Sequence, residues 1–215
     1  MIIVILAGIA SLQFMKGRKL NVALMKVLSN GFEKKLKIKD QLYTWIGGYI
    51  GFKANYDLSD KYIKKVEMTL TLLPRQSLFY LPISILVKRG DRLFIVLRPR
   101  FTIKNDAHII RNFYYLFGPE IKEIHELKKG IIELENTKGF YSLFEEKETL
   151  EKLRKLTQEV FSDTKRVRHI ALVKSTNVLF CLVKPDPYKT PDEIRKLVEK
   201  FPKIFCGKGE LREFQ

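Results

Sequence analysis

Hydrophobic and polar residues of this chain alternate in some stretches and recur at helical spacing in others. In VEMTLTLL, residues 66–73, Val66, Met68, Leu70 and Leu72 fall on one side and polar side chains fall on the other. Strict alternation is the pattern of a strand with one buried face. The stretch therefore predicts a half-buried β-strand.

Two stretches near the C-terminus predict helices. Residues 145–161 carry an apolar stripe at helical spacing. Residues 191–201 carry another, and the start of this second helix is well marked. Thr190 supplies a hydroxyl cap, Pro191 suits the first helical position, and Glu193 follows three residues after the cap.

A further helix is predicted over residues 106–117. Asn105 or Asp106 can cap its beginning, and Gly118 can end it. Pro202 should end the helix that begins at Thr190 in a similar way, because proline lacks the backbone N–H that a helix interior needs.

One motif occurs twice. Residues 85–99 read ILVKRGDRLFIVLRP and residues 171–185 read ALVKSTNVLFCLVKP. Each has four residues of turn character between apolar runs, which predicts a β-hairpin over residues 83–98 and another over residues 167–183.

The repeat has two interpretations. A constant offset also pairs Asp106 with Asp192 at two predicted helix starts, so a partial duplication of a ββα unit would relate Leu86–Phe117 to Leu172–Phe201. The alternative is a coincidence, because apolar strands around a turn resemble one another by composition.

An aromatic, glycine-rich stretch covers residues 41–56, and its glycines do not fit a nucleotide-binding pattern. We expect a bent strand or a loop, with Tyr43, Trp45, Tyr49 and Tyr56 in the core. A belt at a membrane interface and a stacking surface for bases are the alternatives.

Residues 121–136 predict a hairpin that turns at Lys128-Lys129-Gly130. Its carboxylates at Glu123, Glu126, Glu133 and Glu135 are expected to form a polar face rather than a catalytic pair.

The first fifteen residues, MIIVILAGIASLQFM, carry no charged side chain, and KGRK follows at once. As a helix this run would reach about 22 Å, short of a hydrocarbon layer of roughly 30 Å. We expect a transmembrane-like anchor over residues 1–15, completed by snorkelling basic side chains. A buried first strand or a core helix is the alternative.

Residues 16–40 form a basic juxtamembrane segment with helical spacing, expected to end or kink at Asn30-Gly31. Because the positive residues follow the apolar run, the positive-inside rule places the body in the cytoplasm. Its candidate contacts for anionic lipid, an acidic partner or nucleic acid are Lys16, Arg18, Lys19, Lys26, Lys34 and Lys35. The alternative is a solvated helix face.

Charge supports this interpretation without selecting a partner. The chain has 215 residues, 46% hydrophobic and 30% charged, with a net charge of +16. Such an excess favours an anionic membrane surface, an acidic protein or nucleic acid. Cys181 and Cys206 do not form a disulfide framework, so a reducing compartment is expected.

Motifs for chemistry are missing from the sequence. His108, His125 and His169 stand in no catalytic or metal-ligating pattern, and we expect neither a cofactor nor a metal. Lys165, Arg166 and Arg168 form a second basic cluster. On a strand, Arg166 and Arg168 would share a face that could hold phosphates, or would protect an edge strand from aggregation.

Together these patterns predict an α+β fold of antiparallel hairpins packed with helices, behind an N-terminal apolar helix. The body divides into a first part, residues 41–136, and a second part, residues 137–215. The function we expect is a membrane-associated, cytoplasm-facing basic adaptor or accessory protein rather than an enzyme. A soluble nucleic-acid-binding protein and an enzyme with a pocket between two ββα units are the alternatives.

Overall fold

The protein is an α+β structure in which helices cover a large antiparallel sheet. The computed structural model describes residues 1–88, 90–117, 127–134 and 137–206. In chain order the helices and strands are α1 (Ile2–Lys35), β1 (Ile38–Ile46), β2 (Gly51–Leu58), β3 (Ile63–Thr71), α2 (Tyr80–Lys88), β4 (Arg92–Pro99), β5 (Ala107–Arg111), α3 (Asn112–Phe117), β6 (Lys128–Leu134), β7 (Thr137–Phe144), α4 (Lys147–Val160), β8 (Val167–Val173), β9 (Val178–Val183) and α5 (Thr190–Phe205).

The described strands form one nine-stranded sheet in the order β1-β2-β3-β4-β9-β8-β5-β7-β6. All neighbouring pairs are antiparallel. The C-terminal hairpin β8–β9 therefore sits in the middle, where β9 pairs with β4 and β8 pairs with β5. The two predicted parts of the body share this sheet.

Helices α1, α4 and α5 contribute to the main hydrophobic core, together with alternate residues of the strands. In β5, Ile109 belongs to this core, whereas its neighbour Ile110 packs with Leu143 and α3. Successive strand residues point to opposite faces. The long helices and α3 therefore cover different faces of the sheet.

Several predicted elements are confirmed. The alternating stretch 66–73 lies largely in β3, and the 145–161 helix is α4. The helix predicted over 191–201 is α5, which continues through Pro202 to Phe205. Its last turn persists because Ile204 and Phe205 pack against the core, and this burial outweighs the backbone bond that proline removes.

The second predicted hairpin, over residues 167–183, is confirmed as β8 and β9. Asn177 in its turn has a positive φ of 51°, a conformation that asparagine tolerates well. The Asn177 side chain also bonds to the backbone of Phe101 and Ile103, which fixes the turn against the rest of the fold.

The first predicted hairpin, over residues 83–98, is wrong. Its first strand is the helix α2, whereas its second strand is β4. Pro82 lies at the third position of α2, where a helix has no backbone acceptor for an N–H. Strand β4 takes its partners from β3 and β9, so no edge is left for residues 80–88.

The predicted helix 106–117 is also wrong in its first half. Residues Ala107–Arg111 are β5, between β7 and β8, and only Asn112–Phe117 are helical. Asp106 accepts a bond from the Lys174 backbone N–H instead of capping a helix. The segments Leu86–Phe117 and Leu172–Phe201 thus differ in their order of elements, which removes the structural basis for a duplication.

The stretch predicted as a bent strand or a loop contains two strands, and one other predicted turn is wrong. Residues 41–56 form the hairpin β1–β2 around a turn at 47–50. Lys128-Lys129-Gly130 belongs to β6 and is not a turn, because it pairs with β7. Glu123, Glu126 and Glu135 lie outside the described residues, as does His125.

The N-terminal segment is one unbroken helix. Helix α1 has 34 residues and passes through Asn30-Gly31, where a break was predicted. A Cβ at Gly31 would lie 2.6 Å from Cγ of Pro191, so this glycine serves a close contact with α5. The alternative of a buried first strand is wrong, because Ile3 is helical and 81% exposed.

Candidate functional site

Helix α1 is buried along one stripe and only in its second half. The buried residues Gly17, Asn21, Met25, Leu28 and Phe32 recur every three or four positions, which is the spacing of a single helix face. No residue before Gly17 is buried. The large apolar side chains exposed in this first half are Met1, Ile2, Ile3, Val4, Ile5, Leu6, Ile9, Leu12, Phe14 and Met15.

Helix α2 presents a second apolar surface to solvent. Only Ser84 of its described side chains is buried. The exposed ones in and just before this helix are Phe79, Tyr80, Ile83, Ile85, Leu86 and Val87. Two helices with exposed apolar sequences are unusual on one soluble domain, where large apolar patches mark interaction surfaces.

Contacts at Gly17 tie the first half of α1 to the connection that precedes α2. A Cβ at Gly17 would lie 2.2 Å from the carbonyl carbon of Arg75, so only glycine lets α1 approach this connection. One turn earlier, Gln13 Nε2 donates to the Arg75 carbonyl over 2.7 Å. Helix α2 begins at Tyr80, a few residues further along the same connection.

A polar network around Asn21 fixes the junction. Asn21 Nδ2 donates to the carbonyls of Tyr49 (3.0 Å) and Leu73 (2.9 Å), while its Oδ1 accepts from Arg75 Nη1 (3.0 Å). Arg75 also makes a two-pronged ion pair with Asp91, with Nη2 2.7 Å from Oδ2. Such paired geometry is the strong form of an ion pair.

Arg75 and Asp91 lie on either side of α2 in the chain. Because the ion pair joins the two ends of this segment, α2 is held at both its entry and its exit. Asn21 links the same pair to α1. The junction therefore ties α1, at Gly17 and Asn21, to the two ends of the segment that contains α2.

Basic and aromatic residues border this apolar surface. Lys16, Arg18 and Lys19 are exposed on α1. The Arg18 guanidinium lies 4.3 Å from the centroid of the Tyr49 ring, and Tyr49 meets Trp45 edge-on at 6.4 Å. Of the four aromatic residues expected in the core, Tyr56 is fully buried, whereas Tyr43 and Trp45 are exposed.

The other basic candidates of α1 lie farther from the surface. Lys26 and Lys34 are exposed, and Lys34 follows Lys16 by about 27 Å along the helix. Lys35 forms an ion pair with Asp192 of α5, with Nζ 2.8 Å from Oδ1. The basic residues of α1 thus divide into those next to the apolar surface and those along the body.

The two arginines of the second basic cluster, Arg166 and Arg168, are buried. Arg166 is buried and paired with Glu193, whose pKa is raised by burial, and Asp186 lies 3.9 Å away. Arg168 is also buried, donates to the Tyr114 hydroxyl over 2.6 Å, and has its pKa lowered by burial.

The expected shared phosphate grip of Arg166 and Arg168 is therefore not formed. Arg166 lies in a 3₁₀ turn before β8, and β8 itself is an interior strand, so the edge-strand alternative is wrong as well. Lys165 is exposed, and its carbonyl accepts a bond from Arg111.

The described histidines form a pair on β5 and β8. His108 Nδ1 lies 3.2 Å from His169 Nε2, and the rings are 5.5 Å apart. Burial lowers the pKa of His108, and burial with the neighbouring His108 lowers the pKa of His169 to about 3. The described residues contain no group of three or more His, Cys, Asp and Glu side chains that could hold a metal ion.

Cys181 and Cys206 are both buried and are not joined in a disulfide. Burial raises the pKa of the Cys181 thiol, which keeps this side chain protonated and unreactive.

Comparisons with known proteins leave the chain without a family. No protein-family model matches it, and no curated protein matches it in sequence. Among the described residues, none of the helices is long and apolar enough to cross a membrane, so the expected transmembrane character of residues 1–15 is not supported.

The surface formed by α2 was missed in the sequence because its apolar run resembles a buried strand. One signal was present in the sequence: Pro82 within the run disfavours a central strand. The junction at Gly17, Asn21, Arg75 and Asp91 left no such signal, because these residues are far apart in the chain.

Proposed function

We propose that the protein is a non-enzymatic accessory protein that docks on an anionic membrane. The docking surface consists of the exposed apolar residues of α1 before Gly17, the exposed apolar residues of α2, and the neighbouring Lys16, Arg18 and Lys19. The observation that supports the proposal is the junction that ties α1, at Gly17 and Asn21, to the two ends of the α2 segment, so that two exposed apolar helices start from one place that also carries these cations.

The energetics favour this use of the surface. Each Leu, Ile, Phe or Val contributes roughly −0.3 to −0.6 kcal/mol to insertion at the centre of a membrane helix, and sixteen large apolar residues are exposed over residues 1–15 and 79–87. Each Lys or Arg near an anionic leaflet adds about 1 kcal/mol. Stable membrane attachment generally needs two contributions, and this surface carries both apolar side chains and cations.

The depth and side of insertion follow from the same residues. The α1 segment Ile2–Met15 spans about 21 Å, less than the roughly 30 Å hydrocarbon layer, so it enters part of the bilayer. Trp45 and Tyr49, next to Arg18, suit the headgroup level. Because the cytoplasmic leaflet carries the anionic lipids, the cations beside the apolar segment favour docking from the cytoplasmic side.

The remaining positive charge supports an adaptor role. The net charge is +16, and Lys34 and Lys165 are exposed away from the docking surface. An acidic protein is the partner class that such a body attracts.

A flotation assay tests the docking. The intact protein should float with phosphatidylglycerol vesicles, float less with phosphatidylcholine vesicles, and withstand a high-salt wash better than a purely electrostatic binder. L86N should reduce flotation several-fold, because it places a polar side chain in the apolar surface.

The matched control for this assay is I131N. Ile131 on β6 and Leu86 on α2 are each 80% exposed, but Ile131 lies at the far edge of the sheet from α1 and β1. I131N should float like the wild type. Equal flotation of L86N and I131N, or recovery of the wild type in the vesicle-free fraction, would reject the proposal.

A further inference from the structure

We infer that the groove between α1 and β1 holds an acyl chain of an anionic phospholipid. This inference rests on the proposed docking, since the groove opens toward the same surface. It adds a specific lipid site to a surface that would otherwise bind a membrane only as a whole.

The groove is an apolar cavity of about 380 Å³. Met25 and Phe52 are buried at its base, and Val22 and Trp45 line it from the helix and the strand. Its volume lies within the roughly 300–1,000 Å³ of small-molecule sites, which are mostly apolar with a few polar groups.

The groove runs along α1 and connects to the docking surface. From Val22 to Glu33 it extends about 16 Å along the helix. Val22 also lines the neighbouring depression, which is formed by α1 residues that include Phe14 and Arg18. A chain bound here would therefore leave the bilayer at the docking surface and follow α1.

The inner end of the groove is closed by a hydrogen-bonded chain. The Tyr43 hydroxyl contacts Glu33 Oε1 over 2.6 Å and the Tyr56 hydroxyl over 2.5 Å. Burial raises the pKa of Tyr56 to about 12, and burial together with the hydrogen bond to Glu33 raises the pKa of Tyr43, so both hydroxyls stay protonated. The hydrogen bond engages the Glu33 carboxylate, which leaves aromatic ring surface toward the lipid tail.

Charge at the rim selects an anionic headgroup. Lys26 lines the groove, and Arg18 and Lys19 line the depression at its outer end. All three side chains are exposed. Among the described residues that line the groove, Glu33 is the one acid; it lies at the inner end and is bonded to Tyr43. A phosphate near Val22 would lie close to Arg18, Lys19 and Lys26.

Trp45 reports occupancy directly, because it is the only tryptophan of the chain. A short-chain phosphatidylglycerol brominated on its tail, used below its micelle-forming concentration, should quench Trp45 fluorescence saturably. The phosphatidylcholine with the same tail should bind at least tenfold more weakly. Absence of quenching, or unsaturable quenching that is equal for both lipids, would overturn the inference.

Two variants with one control locate the binding. S29F fills the groove, because Ser29 lines it, and should weaken quenching at least tenfold. V27F adds the same bulk at an exposed residue of α1 that does not line the groove, and should bind like the wild type. K26E, at an exposed position, should weaken phosphatidylglycerol binding and leave phosphatidylcholine binding unchanged. Unaltered binding in both S29F and K26E would reject the site.

Different results would reject the proposed docking surface and the proposed lipid site in the groove. L86N should lose vesicle flotation and keep saturable quenching by the monomeric lipid, because Leu86 is not a lining residue. Vesicle flotation without quenching would reject the groove alone. Quenching without flotation of the wild type would reject the docking surface alone.

Discussion

The two halves of α1 share one helical backbone but have opposite surroundings. After Gly17, a stripe that includes Met25, Leu28 and Phe32 is buried against the sheet and α5, and charged residues with a few apolar ones occupy the other side. Before Gly17 the helix is apolar on nearly all sides, and none of its residues is buried. A helix that is apolar all round is normally enclosed by protein or lipid.

The difference shows that apolar content does not by itself bury a helix in a fold. The second half has fewer apolar residues, and a stripe of them lies on the face that packs against the sheet, while Leu20, Val22 and Val27 stay exposed. The first half has no matching protein surface, because the sheet ends near the contact of Asn21 with Tyr49 and Leu73. Its apolar residues are therefore available for a partner outside the fold.

The largest contrast between the halves should come from two phenylalanines. F32A removes a fully buried ring and should lower the free energy of unfolding by about 3–5 kcal/mol. F14A removes a ring that is 44% exposed and should change the free energy of unfolding by less than about 0.5 kcal/mol. Urea denaturation of both variants measures the difference. Equal losses would show that the two halves are packed alike.

Alanine substitutions at two glycines of α1 should change the stability of the protein in opposite directions. G17A places a methyl group against the Arg75 backbone and should destabilise the protein by about 1–3 kcal/mol. A Cβ at Gly8 has nothing within 4 Å, so G8A should stabilise it by up to about 1 kcal/mol through helix propensity. Thermal unfolding should move Tm down for G17A and up for G8A. A shift in the same direction would contradict the contact at Arg75.

The smallest effect concerns the charges of the packed half. K35Q removes the ion pair with Asp192, in which the Lys35 and Asp192 side chains are 44% and 41% exposed. This loss should lower the free energy of unfolding by about 0.2–1 kcal/mol. The control K34Q changes the exposed neighbouring Lys34 and should lower the free energy of unfolding by less. Both losses should shrink in high salt, because exposed pairs are screened. A salt-independent loss above that range for K35Q would mean that Lys35 has a packing role.

Local signals in the sequence predicted the elements whose structure is decided locally. The stretch from Thr190 to Glu193 predicted where α5 begins, and the alternation around Met68 predicted β3. The predicted hydroxyl cap is wrong, because Thr190 is already helical and its hydroxyl accepts from the Asp186 backbone N–H. The turn at Asn177 predicted the β8–β9 hairpin. In each case nearby residues contain the decisive information.

The repeated motif shows where local signals fail. The stretches 85–99 and 171–185 align without a gap, but the first begins as a helix and the second as a strand. The difference arises from distant residues, since β3 and β9 fill both edges of β4. The same holds for the docking surface, where Asn21, Arg75 and Asp91 meet only after folding.

The central position of the last hairpin has a consequence for synthesis on the ribosome. Strand β4 pairs with β3 on one side, but its other edge pairs with β9, which ends at Val183. A nascent chain that has completed β4 therefore carries an open strand edge until more than eighty further residues have been made. Open edges recruit other strands, so this protein should depend on chaperones while its C-terminal hairpin is still being translated.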